Sequence, residues 1–169
     1  GVNEGKNELI EPGAGWDKVL KEYNSEIRQY PVWCFGEMLY HYEGQAGKKL
    51  GNVETVIWAE EKSQNALLAA VRKGRFYARQ NSDGRKLIIE SWRVKKTDPL
   101  EITLRVSSTI SGEQVEVQLV KDGYIMHESK ETTPFELKLE DKPPESDRSY
   151  YRAIIKGSRP LRAVSNPIF

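Results

Sequence analysis

The strictest constraint on the fold of this chain is the alternation of apolar and polar residues that sets in at residue 75. Leu100, Ile102, Leu104 and Val106, for example, are separated by charged or polar residues. Successive side chains of a β-strand point to opposite faces, so this period of two predicts strands with one buried and one exposed face. Eight segments qualify as strands: 75–80, 86–94, 100–107, 114–121, 124–129, 135–140, 149–156 and 163–167.

Short turn signals separate these predicted strands. Asp122-Gly123 lies between two alternating runs and is a strong hairpin signal, because Asp and Gly tolerate the positive φ angles of a tight turn. Further turns are marked by Asn81-Ser82-Asp83-Gly84, Ser111-Gly112 and Pro143-Pro144. Seven or eight short strands at this spacing predict an antiparallel β-sandwich, immunoglobulin-like in general plan, over residues 79–169.

Residues 15–78 follow a different pattern. Five apolar residues share one face of a predicted helix that Pro31 closes: Trp16, Val19, Leu20, Tyr23 and Ile27. Residues 32–35 then predict a short buried strand, residues 53–59 a second strand, and Ser63 and Gly74 are placed to cap a second helix. This alternation is typical of an α/β unit with parallel strands. A unit this small cannot bury both faces of a parallel sheet alone, so we expect a fragment of a larger fold or a piece packed onto the sandwich.

Composition excludes several classes of function. The chain has 26 Lys and Arg against 25 Asp and Glu, so no overall field attracts nucleic acid. No apolar run approaches the roughly 20 residues of a membrane span. The one cysteine, Cys34, excludes an internal disulfide, and its apolar surroundings predict a buried, inert thiol. A single cysteine is compatible with either the cytosol or the cell exterior, so it indicates no cellular compartment.

Three stretches, taken in order, carry a resemblance to a known family. They are the 36–51 loop leading to Val53-Glu54-Thr55-Val56-Ile57-Trp58, the 66–78 passage containing Gly74-Arg75-Phe76-Tyr77, and the final Tyr150-Tyr151-Arg152 and Ser165-Asn166-Pro167-Ile168-Phe169. The chain resembles the C-terminal part of a metal-dependent hydrolase of the polymerase and histidinol phosphatase (PHP) type with its trailing β-sandwich. The resemblance implies an α+β chain: a loose lead-in over 1–14, a short α/β segment over 15–78 that ends a barrel-like unit, and the sandwich over 79–169.

The resemblance also implies a divalent metal, zinc or manganese, in a complete family member. The last ligand pair of that family is an Asp-x-His at the end of the final barrel strand. Leu39-Tyr40-His41 occupies this position, so His41 matches, Leu39 replaces the carboxylate, and Glu37 is the nearby acid. His41 is therefore a candidate metal ligand with Glu37 beside it, against the alternative of a structural loop histidine. We expect no cofactor in this chain alone.

Two tyrosines flank this histidine in a glycine-rich loop. Tyr40 and Tyr42 are the best candidates for an exposed aromatic pair that stacks on a ligand, against the alternative that they cover an open barrel edge. No nucleophile elbow appears, and 44–49 lacks the spacing of a phosphate-binding loop.

The resemblance implies that the chain is the non-catalytic C-terminal portion of a PHP-like hydrolase, with a structural or substrate-positioning role, and that the parent protein hydrolyses phosphoesters or related bonds. Its expected partner is the missing barrel portion of a longer chain or a second copy in a dimer, with no nucleic acid and no membrane span. The alternative is a free-standing β-sandwich module that binds a glycan or a protein.

Overall fold

A computed structural model describes residues 2, 8–38, 40–45, 49–143 and 148–169. After a single 3-10 turn over Glu8–Ile10, the chain forms two short helices, α1 (Gly15–Asn24) and α2 (Gln64–Arg72). The strands are β1 (Val53–Ile57), β2 (Phe76–Gln80), β3 (Leu87–Lys95), β4 (Leu100–Ser108), β5 (Gln114–Lys121), β6 (Tyr124–Thr132), β7 (Phe135–Asp141), β8 (Tyr151–Lys156) and β9 (Arg162–Ser165).

Two antiparallel sheets pack face to face, which confirms an α+β fold containing a β-sandwich. One sheet has six strands in the order β1-β2-β9-β8-β5-β6, and the other has three in the order β3-β4-β7. The alternating residues found in the sequence fill the space between them: Leu104 and Val106 from β4 meet Val117 and Leu119 from β5 in one buried cluster. The period of two therefore places the core correctly.

The parallel arrangement expected for residues 15–78 is wrong. β1 and β2 pair antiparallel, with Ile57 opposite Phe76, so α2 lies in the connection of a long hairpin. β2 then pairs antiparallel with β9. A strand–helix–strand pattern records only the order of the elements, and the direction of pairing depends on partners far along the chain. The predicted boundary between the α/β segment and the sandwich, between residues 78 and 79, falls inside β2. This domain boundary stays a prediction.

Two local expectations for the N-terminal third also fail. The first helix ends at Asn24 rather than near Pro31, because Glu26 adopts a positive φ of 62° that no helix continues through. Ile27, expected on the buried helix face, is consequently 77% exposed. Residues 32–35 form no strand; this segment is extended and is held by Asn166, whose Oδ1 accepts a 2.7 Å hydrogen bond from the Cys34 backbone N–H.

Helix α1 and the 32–38 segment cover the outer face of the six-stranded sheet. A second buried cluster lies between this cover and the sheet: Val2, Ile10, Trp16, Leu20, Cys34, Val53, Ala78, Val120, Tyr150, Ile154 and Val164. Neither described helix is long and apolar enough to cross a membrane.

A buried ion pair joins α1 to β8 at the centre of this second cluster. Asp17 and Arg152 are 1% and 0% exposed, and the guanidinium donates to both carboxylate oxygens through Nε at 2.8 Å and Nη2 at 2.5 Å. The Tyr150 hydroxyl donates to Asp17 Oδ1 at 2.9 Å, and the Gly13 N–H donates to Oδ2 at 2.7 Å. Trp16 covers the guanidinium, with the ring centroid 4.9 Å from Arg152 Cζ. This network ties the helical cover to the sheet in a defined register.

Candidate functional site

The loop that carries the predicted site residues forms one wall of a cleft of about 910 Å³. The other wall is the turn between β2 and β3, which contributes Asn81, Ser82 and Asp83. Tyr40 lines this concavity with Gln45 and Lys49, and we call it the Tyr40 cleft. Its volume lies within the range of small-molecule sites.

Glu54 organises the base of the loop. Its Oε2 accepts hydrogen bonds from Arg79 Nε at 2.7 Å and Asn81 Nδ2 at 2.9 Å, and its Oε1 accepts one from Lys86 Nζ at 2.9 Å. Partial burial opposes ionisation of the carboxyl, but these three donors outweigh it and lower its pKa to about 2. Glu54 is thus a fixed anion at neutral pH rather than a general base.

Asn81 connects this network to the Tyr40 cleft. Its Nδ2 also donates to the Gly51 carbonyl, and its backbone N–H donates to the Asn52 carbonyl at 2.7 Å. The side chain is 8% exposed, and its Oδ1 has no hydrogen-bond partner among the residues that the structure describes. A residue that lines the cleft therefore holds a buried acceptor without a described donor.

The structure places the four predicted site residues in different surroundings. Tyr40 is half-buried and lines the cleft, whereas Tyr42 is 65% exposed and lies outside the described cleft wall. His41 is exposed, and its backbone N–H donates to Gln45 Oε1 at 2.9 Å. Glu37 is exposed, and its backbone N–H donates to the Val2 carbonyl at 2.8 Å. Leu39, expected in place of the metal-binding carboxylate, lies outside the described residues.

No three side chains of His, Cys, Asp or Glu cluster in the way that a metal ion requires, within the part of the chain described. The metal-ligand roles of His41 and Glu37 stay predictions. Cys34 is buried as expected, and burial raises the pKa of its thiol, so it is not a candidate nucleophile.

A second concavity brings together three of the four tryptophans. Trp33, Trp58 and Trp92 line a groove of about 680 Å³ beside the edge strand β3. Trp33 and Trp58 are both partly exposed in this groove, which we call the tryptophan groove. They come from separate elements, so no local pattern predicted that they meet; the number of tryptophans was the available signal.

Comparison of the chain with protein-family models, with curated proteins and with solved structures found no match.

Proposed function

We propose that this chain is a non-catalytic portion of a larger metal-dependent hydrolase of the PHP type, where it has a structural or substrate-positioning role. The proposal rests on the three sequence stretches described above and on one observation: helix α2 buries a single side chain. Ala70 is fully buried, whereas Leu67 and Leu68 are 40% and 46% exposed. A nine-residue helix with so little packing gains stability when another surface covers it.

Other apolar side chains of the same segment support this reading. Ile27 and Tyr30 are 77% and 75% exposed, and Phe35 is 41% exposed. Together with Leu67 and Leu68 they belong to residues 15–78, whose sequence, though not its antiparallel pairing, resembles the end of a barrel. In the proposed parent protein, the remaining barrel covers these side chains and supplies the catalytic metal ligands.

Size-exclusion chromatography with light scattering tests the apolar side chains. We expect the chain by itself to associate as its concentration rises, and Leu67→Ser/Leu68→Ser to remove this association. Ile110→Ser is the matched control, because Ile110 is 51% exposed in a turn of the sandwich. A wild-type chain that stays monomeric, with α2 amides as protected from hydrogen exchange as those of β8, would overturn the proposal.

The mass of the polypeptide in its natural host tests the larger claim. A mass far above 19.4 kDa, with phosphoesterase activity in the whole protein, is the expected result. A mass near 19.4 kDa would refute the larger-protein proposal.

The alternative is a free-standing module that binds a glycan or a protein. Its support is the Tyr40 cleft, where Asn81 Oδ1 has no partner among the described residues. On this alternative, Tyr40→Ala weakens capture of the ligand, whereas Tyr42→Ala, outside the described cleft wall, does not.

A further inference from the structure

The tryptophan groove has the composition of a small-molecule site. Its volume of about 680 Å³ falls within the range of ligand pockets, and its walls carry the aromatic rings of Trp33, Trp58, Trp92 and Phe169. Trp33 and Phe169 lie with their ring centroids 6.2 Å apart, and Trp58 packs on Tyr77 with centroids 5.2 Å apart. Such walls accept a flat apolar ring between them.

Charge in the groove is biased toward cations. Lys73, Arg75 and Arg93 line it, with Glu90 as the single side-chain carboxylate among the lining residues named. Arg75 forms an exposed pair with Glu60 through Nη2 at 3.2 Å. A ligand with negative charge therefore fits this wall better than a neutral or cationic one.

Two hydrogen-bond donors in the wall have no partner among the described residues. They are Arg75 Nε and Trp92 Nε1, and both atoms are buried. Trp92 itself is 8% exposed. Buried donors in proteins are nearly always paired, so two unpaired donors on residues that line the groove indicate that an acceptor oxygen completes this site.

The walls are also held in place before any ligand arrives. Trp33 packs against Gly74, where an added Cβ would lie 2.6 Å from the indole ring. Asn166 accepts from the Cys34 N–H and donates to the Phe76 carbonyl at 3.0 Å, which fixes the segment next to Trp33. On the opposite side, a β-bulge in β3 at Glu90 changes the strand register beside the groove, as bulges at binding sites commonly do.

We propose that the tryptophan groove binds a small anion that carries a flat apolar ring, such as an aryl phosphate or an aryl carboxylate. The ring lies between the indoles, and the anionic oxygens face Arg75 and the donors beside it. The inference goes beyond the proposed function and does not depend on it, because every lining residue belongs to this chain.

The indole N–H signals of the protein in ¹H–¹⁵N spectra test this directly. Phenyl phosphate and benzoate are the probes, benzyl alcohol is the uncharged control, and inorganic phosphate is the control without a ring. We expect saturable shifts of the Trp92 signal with an affinity on the order of 1 mM for ligands of this size. The Trp16 signal should stay in place. Its Nε1 donates to the Val32 carbonyl over a distance of 2.7 Å, and Trp16 is not among the residues that line the groove.

Arg75→Gln is the decisive variant, and Arg28→Gln is its matched control. Arg28 also forms an exposed pair with a glutamate, Glu22, but lies outside the groove. We expect Arg75→Gln to weaken binding of the preferred probe about tenfold, and Arg28→Gln to leave it unchanged. An unchanged Trp16 signal shows that each variant is folded.

Saturable binding of either anion supports the proposal, and the comparison of the two shows whether phosphate or carboxylate is preferred. The proposal is overturned if neither anion shifts the Trp92 signal, if benzyl alcohol binds equally well, or if Arg75→Gln binds as the wild type does.

Discussion

The ion pair between Asp17 and Arg152 makes a quantitative prediction about stability. Asp17→Asn preserves the shape of the side chain but replaces one carboxylate oxygen, an acceptor, with an amide nitrogen, a donor. Each oxygen accepts one bond from Arg152 and one other, from Tyr150 or Gly13, so two donors lose their acceptor whichever oxygen changes. The guanidinium then stays buried without a counter-charge, and removal of one partner of a buried pair costs about 3–5 kcal/mol. For a chain of this size, that lowers the Tm by roughly 6–20 °C.

Urea unfolding at pH 7, followed by tryptophan fluorescence, measures this loss. Glu101→Gln is the control, because it breaks a pair with Lys95 in which the side chains are 54% and 67% exposed. Exposed pairs contribute less than about 1 kcal/mol, so the control should unfold close to the wild type.

A double-mutant cycle supplies the refutation. Asp17→Leu/Arg152→Met removes both charges and should lose clearly less stability than the sum of the two single variants. If the losses add, or if Asp17→Asn loses under about 1 kcal/mol, the two side chains are not coupled as the geometry requires.

Three further predictions follow from local contacts. Gly74→Ala should destabilise the protein by about 1–3 kcal/mol more than Gly112→Ala, because both have a positive φ but only the Gly74 Cβ would strike the Trp33 ring; equal losses would contradict this. The pKa of Glu54, lowered from 4.5 to about 2, favours the folded state above pH 4.5, and this contribution is lost as the pH falls toward 2. Glu54→Gln should therefore unfold more easily at pH 7, by about 1 kcal/mol, and show a flatter decline in acid; a decline parallel to that of the wild type would refute the linkage. Finally, the purified chain should hold no stoichiometric zinc or manganese by mass spectrometry, and metal that disappears in His41→Ala would overturn that expectation.

The sequence predicts the sandwich well because the signal for a half-buried strand lies within the strand's own residues. β4 alternates strictly, and β5 alternates in sequence from Val115 to Leu119; such alternation fixes which side chains face the core whatever the partners are. The parallel arrangement of residues 32–35 and 53–59 was mispredicted: residues 32–35 form no strand, and β1 pairs antiparallel with β2, with Ile57 opposite Phe76 across helix α2. Periodicity carries no record of such contacts.

The candidate sites divide in the same way. Tyr40 was selected as an aromatic residue in a glycine-rich loop, and it does line a cleft. Asn81 was noted only as part of a turn, because its bond to Glu54 joins residues 27 positions apart. The tryptophan groove likewise assembles Trp33, Trp58 and Trp92 from three separate segments. The residue pattern contains no information about which distant segments come together to form a site.

The position of β9 has a consequence for how the protein is made. This strand lies between β2 and β8, and Asn166 just after it holds Cys34 and Phe76, 132 and 90 positions earlier. During synthesis, Cys34 and Phe76 leave the ribosome long before β9 and Asn166, to which they are bound in the folded protein. Until then β2 has a bare edge that can pair with a neighbouring nascent chain. The central pairings of the large sheet, β2 with β9 and β9 with β8, therefore form only after β9 has been made.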